Sequence, residues 1–198
     1  MRSLIIIMMT LLALVSCSKE KEQQAEQPVS EEKNLFQDLK EQTVKKPNDA
    51  DAWFHLADIY ERSDMYRDEA DALKKVIALD PKRASAYAKL GSAHNRLGQY
   101  QEAINNLNMA TKLTPTNPVL YNNLAVSYGK MGDTDKEIAS LKKAIELRPN
   151  YSTARYNLGV TYLKKGKPDL ALQQYNELRK TDETVANALK KEIDAKRR

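Results

Sequence analysis

The chain has 198 residues, 41% of them apolar, with only 6 Gly and 7 Pro, which excludes a multidomain machine and a collagen-like or low-complexity chain and favours a helix-rich body. Its 32 basic and 27 acidic residues give +5 spread along the chain, without the concentrated basic patch that would mark nucleic acid as a partner. A single Cys forbids an internal disulfide, and with two His it cannot complete a four-ligand zinc site.

Arg2 gives the N-terminus a positive charge, and Leu4 to Val15 follows as an uncharged run of twelve residues. A bilayer-spanning helix needs about 20 apolar residues, so this run suits the h-region of a signal peptide over 1–16. Cys17 stands where the run ends. Leu14-Val15-Ser16-Cys17 resembles the bacterial lipobox. The resemblance implies cleavage after Ser16 and acyl chains, palmitate among them, on Cys17 as the mature N-terminus. Ser18 is similar to the residue at that position in outer-membrane lipoproteins of Gram-negative bacteria, whereas Asp there is the usual inner-membrane retention signal. That implies anchoring at the periplasmic face of the outer membrane. Residues 17–30 then read as a flexible tether, since SKEKEQQAEQPVS offers one Val, one Ala and no aromatic residue to offset its ordering entropy.

A leading helix is predicted within 31–49, starting behind Ser30 with Glu31 and Glu32 and carrying Leu35, Phe36 and Leu39. Pro47 ends it and opens the strongest pattern in the chain, because Pro47, Pro81, Pro115 and Pro149 recur every 34 residues. The same period puts Trp53, Tyr87, Tyr121 and Arg155 in one column and Leu56, Leu90, Leu124 and Leu158 in a second. Ala57, Gly91, Ala125 and Gly159 form a third, and Tyr60, His94, Tyr128 and Tyr162 a fourth. Within a unit these columns fall at i, i+3, i+4 and i+7, one face of a helix. Gly98, Gly132 and Gly166 suit helix ends that need positive φ. Asn117 before Pro118 reads as an N-cap with Pro at the first helical position, and Pro168 opens a second helix.

These columns resemble the tetratricopeptide repeat, a helix-turn-helix unit of that length. The resemblance implies an all-α fold, a right-handed superhelical solenoid of units 50–83, 84–117, 118–151 and 152–183. A capping helix over 184–198 follows, its apolar stripe Val185, Leu189 and Ile193 starting from Thr181. Two positions depart from the family. Glu69 and Glu137 stand where a small residue is usual, so each carboxylate either snorkels outward or its helix begins one residue late. Arg155 sits in the aromatic column, where its stem packs while its head reaches solvent.

No HExxH, Gly-rich phosphate loop or GxSxG is present, which excludes the reactions those motifs serve and leaves no visible means of catalysis. His94 reads as a partly buried, satisfied histidine, and the pairs Asp68 with Glu69 and Asp133 with Asp135 as helix caps. The resemblance implies no cofactor and a concave wall made by the first helix of each unit. On it the expected partner-binding residues are His55, Lys89, Arg96, Asn122, Asn123, Lys130, Tyr156, Asn157 and Lys164. Asn123 and Asn157 share the column where relatives use Asn ladders to hold a peptide backbone. Ala88 and Ser92 stand where the Lys and Asn of a chaperone-binding carboxylate clamp would be needed, which rejects that clamp. The expected function is a lipid-anchored scaffold holding a segment of another envelope protein, similar to pilotins for secretin channels or adaptors in envelope assembly. A self-associating spacer, its groove filled by another copy or its own tail, is the alternative.

Overall fold

Ten helices and no strand make up residues 34–196, the part of the chain that the computed structural model describes. Cys17, the signal-peptide and tether segments and the Ser30 start of the leading helix lie outside the described residues. Helix α1 covers 34–45. The four units follow as α2 (Ala50–Arg62) with α3 (Tyr66–Leu79), α4 (Ala84–Arg96) with α5 (Tyr100–Leu113), α6 (Pro118–Met131) with α7 (Thr134–Leu147), and α8 (Ser152–Lys164) with α9 (Pro168–Arg179). Helix α10 (Glu183–Lys196) closes the array. Each second helix packs on its own first helix and on the first helix of the next unit, and α10 packs on both α8 and α9. Contacts confined to neighbours along one axis define a helical solenoid.

The turns explain the periodic Gly and Pro. In each unit the first helix ends in a Schellman motif. The N–H groups of Met65, Gln99, Asp133 and Lys167 reach back to the carbonyls of Tyr60, His94, Tyr128 and Tyr162 at 2.8–3.0 Å. The residue before each donor must take positive φ, and it is Gly98, Gly132 and Gly166 at φ of 74°, 82° and 68°. Unit one instead holds Asp64 at φ 57°, a left-handed position filled by a non-glycine residue. Between units, the N–H groups of Asp49, Arg83, Asn117 and Tyr151 bond the carbonyls of Lys46, Asp80, Thr114 and Arg148 at 3.0–3.3 Å. Pro47, Pro81, Pro115 and Pro149 are the second residue of those four turns, where a fixed φ is preorganised.

The aromatic column has a polar function as well. Trp53 Nε1 donates to the Pro47 carbonyl at 3.0 Å and Tyr121 Oη to the Pro115 carbonyl at 3.1 Å. Arg155 replaces them with the same bond, Nε to the Pro149 carbonyl at 2.8 Å, and adds Nη1 to Gln174 Oε1 at 3.2 Å. Its head is therefore tied to the inter-unit turn at the surface of the molecule. Three of the column's four members thus donate to the proline carbonyl of the preceding turn, and Tyr87 forms no such bond among the described residues.

The core runs as three clusters along the axis. Leu39, Leu56, Leu73 and Leu90 join α1 to units one and two. Ile104, Leu107, Leu120 and Leu124 join units two and three, and Leu141, Leu158, Leu178 and Leu189 join units three and four to α10. Phe36 reaches from α1 to the Tyr60 ring edge to face, with centroids 5.6 Å apart. The third column is small for a specific reason at its two glycines. A Cβ at Gly91 would lie 2.6 Å from Leu107 Cγ, and one at Gly159 would lie 2.6 Å from Leu189 Cδ2, so Gly159 makes room for the capping helix. Helix α10 starts later than Thr181 because Asp182 caps it, its carboxylate accepting the Val185 N–H at 3.1 Å.

Candidate concave interface

The first helices line the inner side of the solenoid, where α4 also touches α6 across the unit boundary. Two hollows open there. The larger, about 1030 Å³, spans α2, α4 and α6 and is lined by Glu61, Tyr66, Glu69, Arg96, Asn123 and Lys130 among others. The smaller, about 210 Å³, lies over units three and four, between Val126, Gly129, Lys130, Glu137, Leu141, Asn157, Val160, Thr161 and Lys164.

The expected binding residues separate into distinct settings. Arg96, Asn123 and Lys130 face the larger hollow, with the Arg96 guanidinium 5.7 Å from the Tyr66 ring centre. Asn157 and Lys164 line the smaller one, and Lys130 borders both. Lys89 is already engaged, paired with Asp58 at 3.0 Å and hydrogen-bonded to Glu61. Asn122 is buried and accepts a bond from Asn157 Nδ2 at 3.0 Å, so it joins units three and four in place of presenting an amide to the groove. Tyr156 is half-buried against the third core cluster, and His55 is exposed on α2 outside both hollows. Asn123 and Asn157 open to different hollows, and one amide of the pair is committed to Asn122, so no continuous ladder runs between them.

The two departing glutamates differ most from the sequence expectation. Helices α3 and α7 begin in register with α5 and α9, and neither side chain snorkels: Glu69 is 1% exposed and Glu137 is 8% exposed. Both lie on the inner floor of the solenoid, lining the larger and the smaller hollow respectively. Space for Glu137 comes from Gly129, where a Cβ would fall 2.7 Å from the Glu137 Cδ. Thr161, on the first helix of the next unit, donates to Glu137 Oε1 at 2.7 Å. Two periods earlier the corresponding residues are Glu61 and Ala93, so Glu69 gains neither the space nor the donor. Burial pushes the Glu69 carboxyl up to about 7, with the Glu61 and Asp58 carboxylates adding to the rise and Lys89 and Arg96 opposing it. Size compensation across the turn, a Glu eight residues after a Gly, was the one sequence signal that could have placed Glu137.

His94 is buried with Nδ1 at 2.6 Å from Gln99 Oε1, a satisfied contact. Asp133 caps α7 through the Lys136 N–H at 3.2 Å, as read from the sequence, whereas Glu69 is a floor residue and not a cap. Among the described residues no group of three or more metal-ligating side chains converges. What remains is a wall of amides, cations and buried carboxylates suited to holding a polypeptide.

A helix-turn-helix solenoid with an amphipathic inner wall is the architecture of protein–protein interaction scaffolds. Repeat models agree: a TPR repeat model matches 91–132, and two tetratricopeptide repeat models match 72–105 with 140–173 and 50–83 with 119–151. The chain belongs to the tetratricopeptide repeat family. Among solved structures, MamA is 29% identical with a TM-score of 0.73, over 77% of this chain and 89% of that one. MamA from Desulfovibrio magneticus RS-1 shares the fold at 20% identity, TM-score 0.72, over 77% and 88% of the two chains. YrrB, a TPR protein with an unusual peptide-binding site, shares it at 22% identity, TM-score 0.63, over 80% and 86%. No curated protein matches the sequence.

Proposed function

We propose that this protein is a lipid-anchored scaffold at the periplasmic face of the bacterial outer membrane. Its concave groove holds a segment of another envelope protein, in work such as secretin or pilus assembly. The observation that carries the reading is the larger hollow, about 1030 Å³, walled by Arg96, Asn123 and Lys130 around a buried carboxyl. Such a surface supplies a polypeptide with an amide, two cations and an aromatic ring, Tyr66, within one concavity. The lipobox residues support the anchor, because two or more acyl chains hold a protein stably where one chain does not.

Crosslinking capture from native envelopes tests the groove. Arg96→Glu together with Asn123→Ala should abolish capture of a partner that the wild type holds, while Lys142→Glu, on a second helix, should not. Retention of the partner by the groove variant and its loss from the Lys142 variant would place binding on the convex face. Fractionation tests the anchor: wild type should stay with membranes at high salt, and Cys17→Ala should release or misprocess the protein. Extraction of the wild type by salt without detergent would count against lipidation.

A further inference from the structure

The smaller hollow has a chemistry of its own. Its walls, Ala125, Val126, Leu141 and Val160, are apolar, and its floor is the Glu137 carboxylate. Glu137 is nine-tenths buried and forms no ion pair among the described residues. Thr161 satisfies Oε1, and Oε2 receives no hydrogen bond from the described residues. Among the described residues Asp58 Oδ1 is the one fully buried side-chain oxygen without a hydrogen bond, so Glu137 Oε2 is open to the hollow, where a cation can reach a carboxylate that is otherwise largely buried. Lys130 and Lys164 stand exposed at the rim, and neither pairs with an acidic residue among the described residues. The fold commits a residue to keeping this arrangement, since a Cβ at Gly129 would collide with the carboxylate at 2.7–2.9 Å.

We propose that this hollow receives a lysine side chain from the partner segment, its ammonium on Glu137 and its acidic neighbours on Lys130 and Lys164. The inference rests on the groove reading above and specifies what the groove selects. The apolar walls suit the butyl stem of lysine, which buries well while its charge seeks a carboxylate. One free oxygen offers a single acceptor, which fits a compact ammonium; a guanidinium fork is held best by two. The cationic rim repels a lone basic residue and accepts one whose acidic flanks neutralise it, so selectivity comes from rejection as well as attraction. No other unit repeats the site: Ala103 and Ala171 remove the carboxyl in units two and four, and in unit one Lys89 and Arg96 already influence Glu69.

Calorimetric titration of the full lipidated chain in detergent micelles tests this with acetylated, amidated heptapeptides. Their central residue is lysine, norleucine or arginine, flanked by glutamates, and a fourth peptide has lysine flanked by glutamines. The lysine peptide should bind about 10- to 150-fold tighter than norleucine, the range for one hydrogen bond to a charged group. That preference should vanish in Glu137→Gln, an isostere without charge, and in Gly129→Ala, which displaces the carboxylate. Lys130→Gln with Lys164→Gln should remove the preference for glutamate flanks and leave the lysine-to-norleucine ratio intact.

Equal affinity for lysine and norleucine, a ratio that persists in Glu137→Gln, tighter binding of arginine, or no binding of any peptide each overturns the lysine pocket. Those results leave the groove reading standing, because envelope capture by Arg96 and Asn123 decides it separately. The chain's own Glu20-Lys21-Glu22 has the same chemistry. If Lys21→Gln raised peptide affinity tenfold or more, the hollow would belong to that segment, and the assignment to a partner would fail.

Discussion

Burying Glu69 with no hydrogen-bond donor has a cost that depends on pH. Its carboxyl rises from 4.5 to about 7, chiefly through burial, so the folded chain holds the proton more tightly than the unfolded chain does. An acid raised in this way leaves stability intact below pH 4.5 and erodes it as pH rises to about 7, beyond which the loss is complete. The full loss is on the order of 3 kcal/mol. The groups that set it are Glu61 and Asp58 on α2 and Lys89 and Arg96 on α4. Glu69→Gln should flatten the decline between pH 5 and 8 and raise stability at pH 8 by about 2 kcal/mol, measured by urea unfolding at each pH. Equal slopes for wild type and variant would remove Glu69 as the source. This residue marks the limit of what the chain's pattern could reveal. Its place in a small-residue column was legible, but its fate depended on Glu61, eight residues earlier, together with Ala93 on the first helix of the next unit, which only the packed helices bring together. Arg155 adds what the column alone does not reveal: it, Trp53 and Tyr121 each aim a donor at a proline carbonyl.

At the scale of the helices, most of the architecture was legible because turn chemistry repeats with the period. Gly98, Gly132 and Gly166 take positive φ, and each inter-unit Pro occupies one turn position. Asp64 breaks the rule, taking φ 57° with its carboxylate accepting from the Tyr66 hydroxyl. Gly132→Ala should therefore cost about 1 kcal/mol, the penalty for an L side chain in that region. The start of α10 was less legible, since Asp182 as a cap outcompetes the Thr181 reading through one side-chain bond. Docking of α10 depends on Gly159. A Cβ there would meet Leu189 at 2.6 and 2.8 Å, and Leu189 sits fully buried among helices that cannot withdraw without opening the core. Gly159→Val should detach α10, seen as faster hydrogen exchange across Glu183–Lys196 while α2 to α5 keep wild-type protection. Unchanged exchange in α10 would mean that Leu189 relaxes and the glycine is dispensable.

Across the whole molecule, stability must be carried from unit to unit, because each helix touches only its neighbours along the axis. The binding wall obeys a weaker rule. Side chains recur with the period, but their partners do not: Asn123 faces a hollow while Asn157, in the same column, is bonded to Asn122. This is why the solenoid could be read from columns and the groove could not. Leu124 tests the longitudinal coupling. It is 4% exposed on α6 and packs with Ile104, Leu107 and Leu120, the cluster that joins units two and three. Leu124→Ala should cost about 2 to 5 kcal/mol, the range for a truncated core leucine whose cavity closes only in part. In a one-dimensional array the loss falls on the central interface, so the α1-to-α5 and α6-to-α10 halves should uncouple and urea unfolding should broaden or split. Leu189→Ala removes the same atoms at the end of the array, where α10 alone can fray. It should leave the main transition cooperative and raise exchange chiefly in α8, α9 and α10. A neutral Leu124→Ala, or identical exchange maps for the two variants, would show that stability is not transmitted through the stacked clusters.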